Sequence, residues 1–221
     1  MNNLVYGVGV NDLIACGPSS YTENGIRSMY PDYALWKAVL CRSVSQHEKQ
    51  RRPSCLESSC HPDWYIRKNF QDWYFDQDNY YDSEGKILQI DKDILFINNQ
   101  QYGPETSVLV PHFVNIVVRK MSKGIMPWVG YQQKSKRMLN EHKKPWRFEV
   151  FHEGKAIRQG LFDNPLSAHL AACEVKIQCL YQTIERYEKD VSFQQNVCDG
   201  LTNRIELLQK CIDKKRVCSF Y

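Results

Sequence analysis

The sequence lacks the long hydrophobic run that a membrane-spanning helix requires. Nowhere among its 221 residues do roughly 18 apolar residues follow one another without a charge. The opening stretch, MNNLVYGVGV, also lacks the basic start and apolar core of a secretory signal. We therefore expect a cytoplasmic protein.

Glycine and proline are too few for a fibrous or low-complexity chain, at 11 and 9 residues. The nine cysteines are an odd number and follow no secretory signal, which predicts thiols in a reducing compartment and not a disulfide framework. The chain is 43% hydrophobic and 24% charged, as is ordinary for a folded protein. Its length suits one large domain or two small ones.

Charge is unevenly distributed along the chain. Residues 1–118 carry 10 Lys/Arg and 14 Asp/Glu, whereas residues 119–221 carry 19 and 11. Within 119–158, 11 basic residues stand against 3 acidic ones. Such a basic block is typical of a surface that binds a polyanion. On charge alone, a solvated basic surface that binds no partner is an equally good interpretation.

The first half of the chain predicts a mixed α and β module. Helical spacing of aromatic residues begins at Pro31-Asp32 and recurs over residues 63–75. A polar, basic loop spans residues 43–54. Residues 87–95 are strand-like, and a turn then leads to a strand at 108–110 and a short helix over 111–118. This order is a ββα outline.

The second half predicts strands followed by two helices. Hydrophobic residues alternate over residues 146–151, so Trp146, Phe148 and Val150 face one way. A turn over 152–155 leads to a second strand, over 156–162. Asn164 and Pro165 mark the start of a helix that we expect to reach about residue 187. A last amphipathic helix is predicted over about 191–215, with the pair Asp199-Gly200 as a possible break.

This alternation leaves charged side chains on the open face of the predicted sheet. Arg147 and Glu149 lie on that face, and Arg158 of the next strand can join them. Arginine pairs with guanine edges, and glutamate accepts a hydrogen bond from cytosine, so the three residues suit double-stranded DNA. The basic residues of the preceding loop suit phosphates; they are Lys134, Lys136, Arg137, Lys143 and Lys144.

The second half resembles the AP2 domain over about residues 128–182. The resemblance rests on Gly130-Tyr131, on residues 146–150, on Gly160-Leu161-Phe162-Asp163 and on the alanines of the following helix, Ala168 and Ala172. It implies a three-stranded antiparallel sheet packed on one helix, with the sheet in the major groove of DNA. The chain departs from the family pattern at Gln159 and over residues 165–167, and residues 138–144 lengthen the first hairpin.

The first half resembles the N-terminal region of phage-encoded HNH-like proteins that carry an AP2 domain. The segments that carry the resemblance are residues 6–12, Trp36, residues 42–43, residues 64–73, residues 91–95, residues 102–106, Val110-Pro111 and Asn115. We therefore expect an α+β protein with three parts. These are a degenerate ββα, HNH-like module over 1–120, an AP2-like domain over 121–187 and a C-terminal helix over 188–221.

The HNH resemblance implies a catalytic histidine and a metal ion, and the chain keeps only part of that set. Lys92 stands where the family has its general base, and lysine is a poor base near neutral pH. Asp91, Asp93 and His112 remain as candidate catalytic residues. With Asn115, they are the candidate ligands for Mg²⁺ or Mn²⁺.

These observations predict a phage-type protein that binds double-stranded DNA and carries an inactive HNH-like module. Two alternatives stay open. One is a metal-dependent homing endonuclease. The other is a phage protein that binds and modulates a host protein through its acidic, aromatic region, since residues 61–105 hold 9 acidic and 4 basic side chains. The apolar face of the last helix could pack on its own domain or form a homodimer.

Overall fold

The computed structural model describes residues 4–119, 126–127 and 146–218. The chain divides into two compact units, Met1–Pro111 and His112–Tyr221, and is of the mixed α+β class with small, separate sheets. The module boundary expected at residue 120 thus falls inside the second unit. Among the described residues, no helix has both the length and the apolar composition to cross a bilayer.

The first unit is built from short strands around three helices. In chain order they are β1 (Ser20–Glu23), β2 (Ile26–Met29), α1 (Pro31–Val44), α2 (Gln46–Arg51), β3 (Ser59–Cys60), α3 (Arg67–Phe75), β4 (Gln89–Asp91), β5 (Gln101–Tyr102) and β6 (Val108–Val110). β1 pairs with β2 and β4 with β6 in antiparallel fashion, whereas β3 and β5 are parallel. The predicted ββα outline is therefore divided, because its helix belongs to the second unit.

Aromatic side chains form the core of the first unit. Pro31 is the first residue of α1, where its missing N–H costs nothing, and Trp36 and Leu40 follow on the buried side. Trp64 packs edge-on against Phe70 of α3, with ring centroids 4.9 Å apart. The indole N–H of Trp36 donates to the carbonyl oxygen of Trp64 at 2.7 Å. The Trp36 ring is thus buried with its polar atom satisfied.

Gly9 lies directly against this core. A Cβ at this position would lie 3.0 Å from the Trp36 ring and closer still to the Leu40 methyl group. We predict that Gly9→Ala lowers the free energy of unfolding by about 1–3 kcal/mol through overpacking. Urea denaturation measures the change, and Leu40→Val in the same chain should recover part of it. Unchanged stability in Gly9→Ala would contradict the close approach.

The second unit holds the two longest helices and the two longest strands of the described residues. Its elements are α4 (His112–Val117), β7 (Met126–Pro127), β8 (Trp146–His152), β9 (Lys155–Phe162), α5 (Pro165–Tyr187) and α6 (Gln195–Asp213). β7, β8 and β9 form an antiparallel sheet in that order, and α5 packs on β8. Phe148 and Val150 of β8 are buried.

The two long helices pack against each other. Asn164 caps α5 as predicted, because its side-chain oxygen accepts from the Ser167 N–H at 2.9 Å. α6 continues through Asp199-Gly200 without a break. The apolar face of α6 is buried within the unit; its members include Val197, Leu201, Ile205 and Leu208. A homodimer through this helix would have only its exposed side to use.

Candidate nucleic-acid interface

The predicted base-reading residues share one face of the β8–β9 ribbon. The register places Arg147 opposite Gly160 and Glu149 opposite Arg158. Residues directly opposite each other in an antiparallel pair point to the same side of the sheet. This side is opposite to that of the buried Phe148 and Val150. The three charged side chains therefore lie together on the outer face.

Glu149 and Arg158 form an ion pair on this face. The Arg158 Nε–H donates to Glu149 Oε2, with the arginine side chain 61% exposed and the glutamate 19% exposed. An exposed pair of this kind contributes only about 0–1 kcal/mol. Either partner can therefore exchange the other for the polar edge of a base at little cost. Phe151, 53% exposed, adds an apolar ring to the same face.

One turn, between β8 and β9, lies at the end of this face. The β8–β9 turn consists of Glu153 and Gly154, whose φ angles of 48° and 75° suit a two-residue hairpin turn. Lys155 starts β9 and is exposed at this end. The five residues predicted to contact phosphates lie outside the described residues; they are Lys134, Lys136, Arg137, Lys143 and Lys144.

The four predicted metal ligands are divided between the two units. Asp91 ends β4 and Asp93 follows it in the first unit, whereas His112 and Asn115 belong to α4 in the second. The Asp91 carboxylate accepts from the N–H groups of Asp93 and Ile94 at 2.6 and 2.8 Å, which turns the chain after β4. In the described part of the chain, no three His, Cys, Asp or Glu side chains are grouped to hold a metal ion.

Lys92, which stands where the HNH resemblance predicts a base, is buried. Its ammonium lies 2.6 Å from Asp93 Oδ1 and donates to the carbonyl oxygen of Asn99 at 2.7 Å. The Asn99 side chain donates in return to the carbonyl of Lys92 and to that of Gln101, at 2.7 Å each. These contacts tie β4 to the following loop.

Sequence reasoning missed a buried cluster of sulfur and imidazole in the second unit. His169, 2% exposed, accepts the Cys218 N–H at its Nε2 atom, with 2.8 Å between the two nitrogens. The Cys173 sulfur lies 3.4 Å from the same Nε2 atom. Burial, with Cys218 and Cys211 nearby, raises the pKa of Cys173 to about 12. All nine cysteines are free thiols. The spacing of His169 and Cys173 by four residues was the only signal.

The His169 contact predicts a pH dependence of stability. Burial lowers the pKa of His169 below its ordinary value of about 6.5, so the unfolded chain takes up the proton first as the pH falls. Stability should therefore decline below about pH 6.5, by at most about 1.4 kcal/mol per pH unit from this group. Urea unfolding between pH 7.5 and 5.5 measures the slope.

Two variants test whether His169 causes this decline of stability with falling pH. His169→Gln keeps a neutral acceptor and should show a shallower decline with falling pH than the unaltered chain. The matched control is His152→Gln, at the partly exposed end of β8, which should leave the slope unchanged. Equal slopes in the unaltered chain and in His169→Gln would contradict the assignment.

The chain was compared with known families, proteins and structures. No family model, no curated protein and no solved structure matches the chain.

Proposed function

We propose that this protein binds double-stranded DNA through the outer face of the β8–β9 ribbon. Arg147, Glu149 and Arg158 contact base edges in the major groove, and the second unit acts as an AP2-like domain. The observation that carries the proposal is the register, which gathers three groups able to read base edges on one side of a sheet. The side chains of Phe148 and Val150 on the reverse side hold the sheet to its unit.

Shape and charge support the same proposal. The major groove of B-DNA is about 12 Å wide and admits a two-stranded β-ribbon. β8 and β9 form such a ribbon, seven and eight residues long. The second unit, residues 112–221, carries 19 Lys/Arg against 11 Asp/Glu. This excess supplies the sequence-independent attraction to phosphates on which base reading depends.

We further propose that residues 1–120 are an HNH-like module that does not cut DNA. Lys92 stands at the position of the base and is held by Asp93 and Asn99. If cutting does occur, the aspartates of the first unit, Asp91 and Asp93, are the residues that would hold Mg²⁺ or Mn²⁺. The ion would then stabilise charge on the scissile phosphate.

One gel-shift experiment tests both parts of the proposal. The purified protein is mixed with a labelled duplex pool from the genome that encodes it, in EDTA, in Mg²⁺ or in Mn²⁺. We expect a shift in EDTA and no metal-dependent cleavage.

The other outcomes overturn one part each. Cleavage with metal would contradict the inactive module and favour the endonuclease, and Asp91→Ala should then abolish cutting while binding survives. No shift and no cleavage at low salt would contradict DNA binding and favour a host protein as the partner.

A further inference from the structure

The first unit contains a basic segment that the proposed face does not include. Between residues 37 and 52 five basic side chains stand against a single acidic one, Glu48. The rest of the unit, to residue 111, holds five basic and 13 acidic residues. The positive charge of this acidic unit is therefore concentrated on α1, α2 and the residues just after them.

Within this segment, the Glu48 carboxylate binds two neighbouring arginines. Arg51 donates through Nε and Nη2 to Glu48 Oε2, at 3.1 and 2.8 Å. Arg52 Nε lies 2.8 Å from the other oxygen, Oε1. One carboxylate thus orients two guanidinium groups, each through a different oxygen.

The Glu48 carboxylate is buried, whereas the side chains of Arg51 and Arg52 are exposed. The Glu48 side chain is 9% exposed, whereas those of Arg51 and Arg52 are 58% and 50% exposed. The Ser45 hydroxyl accepts the Glu48 N–H at 3.3 Å, which fixes the start of α2. The two arginines lower the pKa of Glu48, so its charge is kept. The outer edges of both guanidinium groups face solvent in a fixed arrangement.

We infer that Arg51 and Arg52, oriented by Glu48, bind the phosphate backbone of DNA. This inference rests on the proposed function and adds a sequence-independent contact from the first unit. The guanidinium fork matches two phosphate oxygens, and orienting it beforehand reduces the entropy lost on binding. A polyanion is the partner that charge complementarity selects, since Arg51 and Arg52 are exposed and belong to the one basic segment of an otherwise acidic unit.

The salt dependence of DNA binding by the full chain tests the inference. The logarithm of the binding constant falls with the logarithm of salt concentration by about 0.9 for each phosphate neutralised. The double variant Arg51→Gln and Arg52→Gln should therefore have a slope smaller in magnitude by about 2. Its affinity should fall by the same factor on every duplex sequence.

Two further variants separate a phosphate contact from net charge and from folding. Lys68→Gln with Lys86→Gln removes the same charge from exposed, acid-paired lysines of the same unit, and should change the slope far less. Arg51→Lys with Arg52→Lys keeps the charge and the partner for Glu48. It should restore most of the slope. Circular dichroism and urea denaturation compare folding among the variants.

The outcomes distinguish this inference from the function on which it rests. A glutamine variant that behaves like the Lys68 and Lys86 control, in a protein that still binds DNA, would overturn the phosphate contact alone. A chain that binds no duplex at low salt would overturn the proposed function as well. A reduced slope restored by lysine supports the inference.

Discussion

Replacing Arg147 and Arg158 together by alanine is expected to weaken binding to double-stranded DNA by about 30-fold or more. The two arginines lie on the same face of the β8–β9 ribbon, one on each strand. Each arginine that contacts a base edge contributes about 1–3 kcal/mol of discrimination. The loss should therefore be larger on a preferred sequence than on a random duplex. Fluorescence anisotropy at fixed salt measures it.

The matched control removes the same charge from another surface of the second unit. Lys189 and Lys210 are 72% and 58% exposed, and each lies beside a glutamate one helical turn away. Alanine at both positions should weaken binding several-fold at most and equally on all sequences. If the Arg147 and Arg158 variant matched this control, the outer face of the ribbon would not be the reading face.

The sequence itself predicts which side chains form the outer face of the β8–β9 ribbon. Alternation over residues 146–151 predicts which side chains point outwards. The turn predicted over 152–155 then sets the register, because a two-residue loop at Glu153-Gly154 pairs residue 152 with 155 and Glu149 with Arg158. Local pattern was sufficient here because a tight hairpin is specified by adjacent residues.

The fold of the first unit was harder to predict because its strands are short. In addition, β3 and β4 pair with strands that lie further along the sequence. Residues 87–95 suggest one long strand, but β4 ends at Asp91, whose carboxylate binds the next backbone N–H groups. The β1–β2 hairpin was missed although Asn24-Gly25, with φ angles of 50° and 77°, is a typical turn sequence. The signal was therefore present in the second case and absent in the first.

Buried charges are what hydrophobic patterns predict least well. Counted as whole residues, backbone included, Glu48, Arg67 and Lys92 are 7%, 4% and 6% exposed, although charged residues usually lie at the surface. Each is buried together with a partner that neutralises or orients it, within seven residues along the sequence for Glu48 and Lys92 and much further away for Arg67. That partner cannot be read from composition or periodicity, and for Arg67 it is 35 residues away.

The buried pair of Asp32 and Arg67 yields the largest predicted effect on stability. Arg67 Nη2 donates to Asp32 Oδ2 at 3.3 Å, with the two side chains 5% and 7% exposed. Gln71 donates to the same oxygen at 2.9 Å, and the Arg67 guanidinium lies 4.8 Å from the centre of the Tyr33 ring. We predict that Asp32→Ala lowers the free energy of unfolding by about 3–5 kcal/mol, because the arginine stays buried without its counter-charge. Urea denaturation measures the loss.

A second variant tests that reason. Asp32→Leu with Arg67→Met removes both charges, so its stability should return to within about 2 kcal/mol of the unaltered chain or exceed it. The control is Asp72→Ala, which breaks the exposed pair of Lys68 and Asp72 on the same helix and should cost less than about 1 kcal/mol. If the double variant were as unstable as Asp32→Ala, lost packing would explain the effect. An unpaired buried charge would then not be its cause.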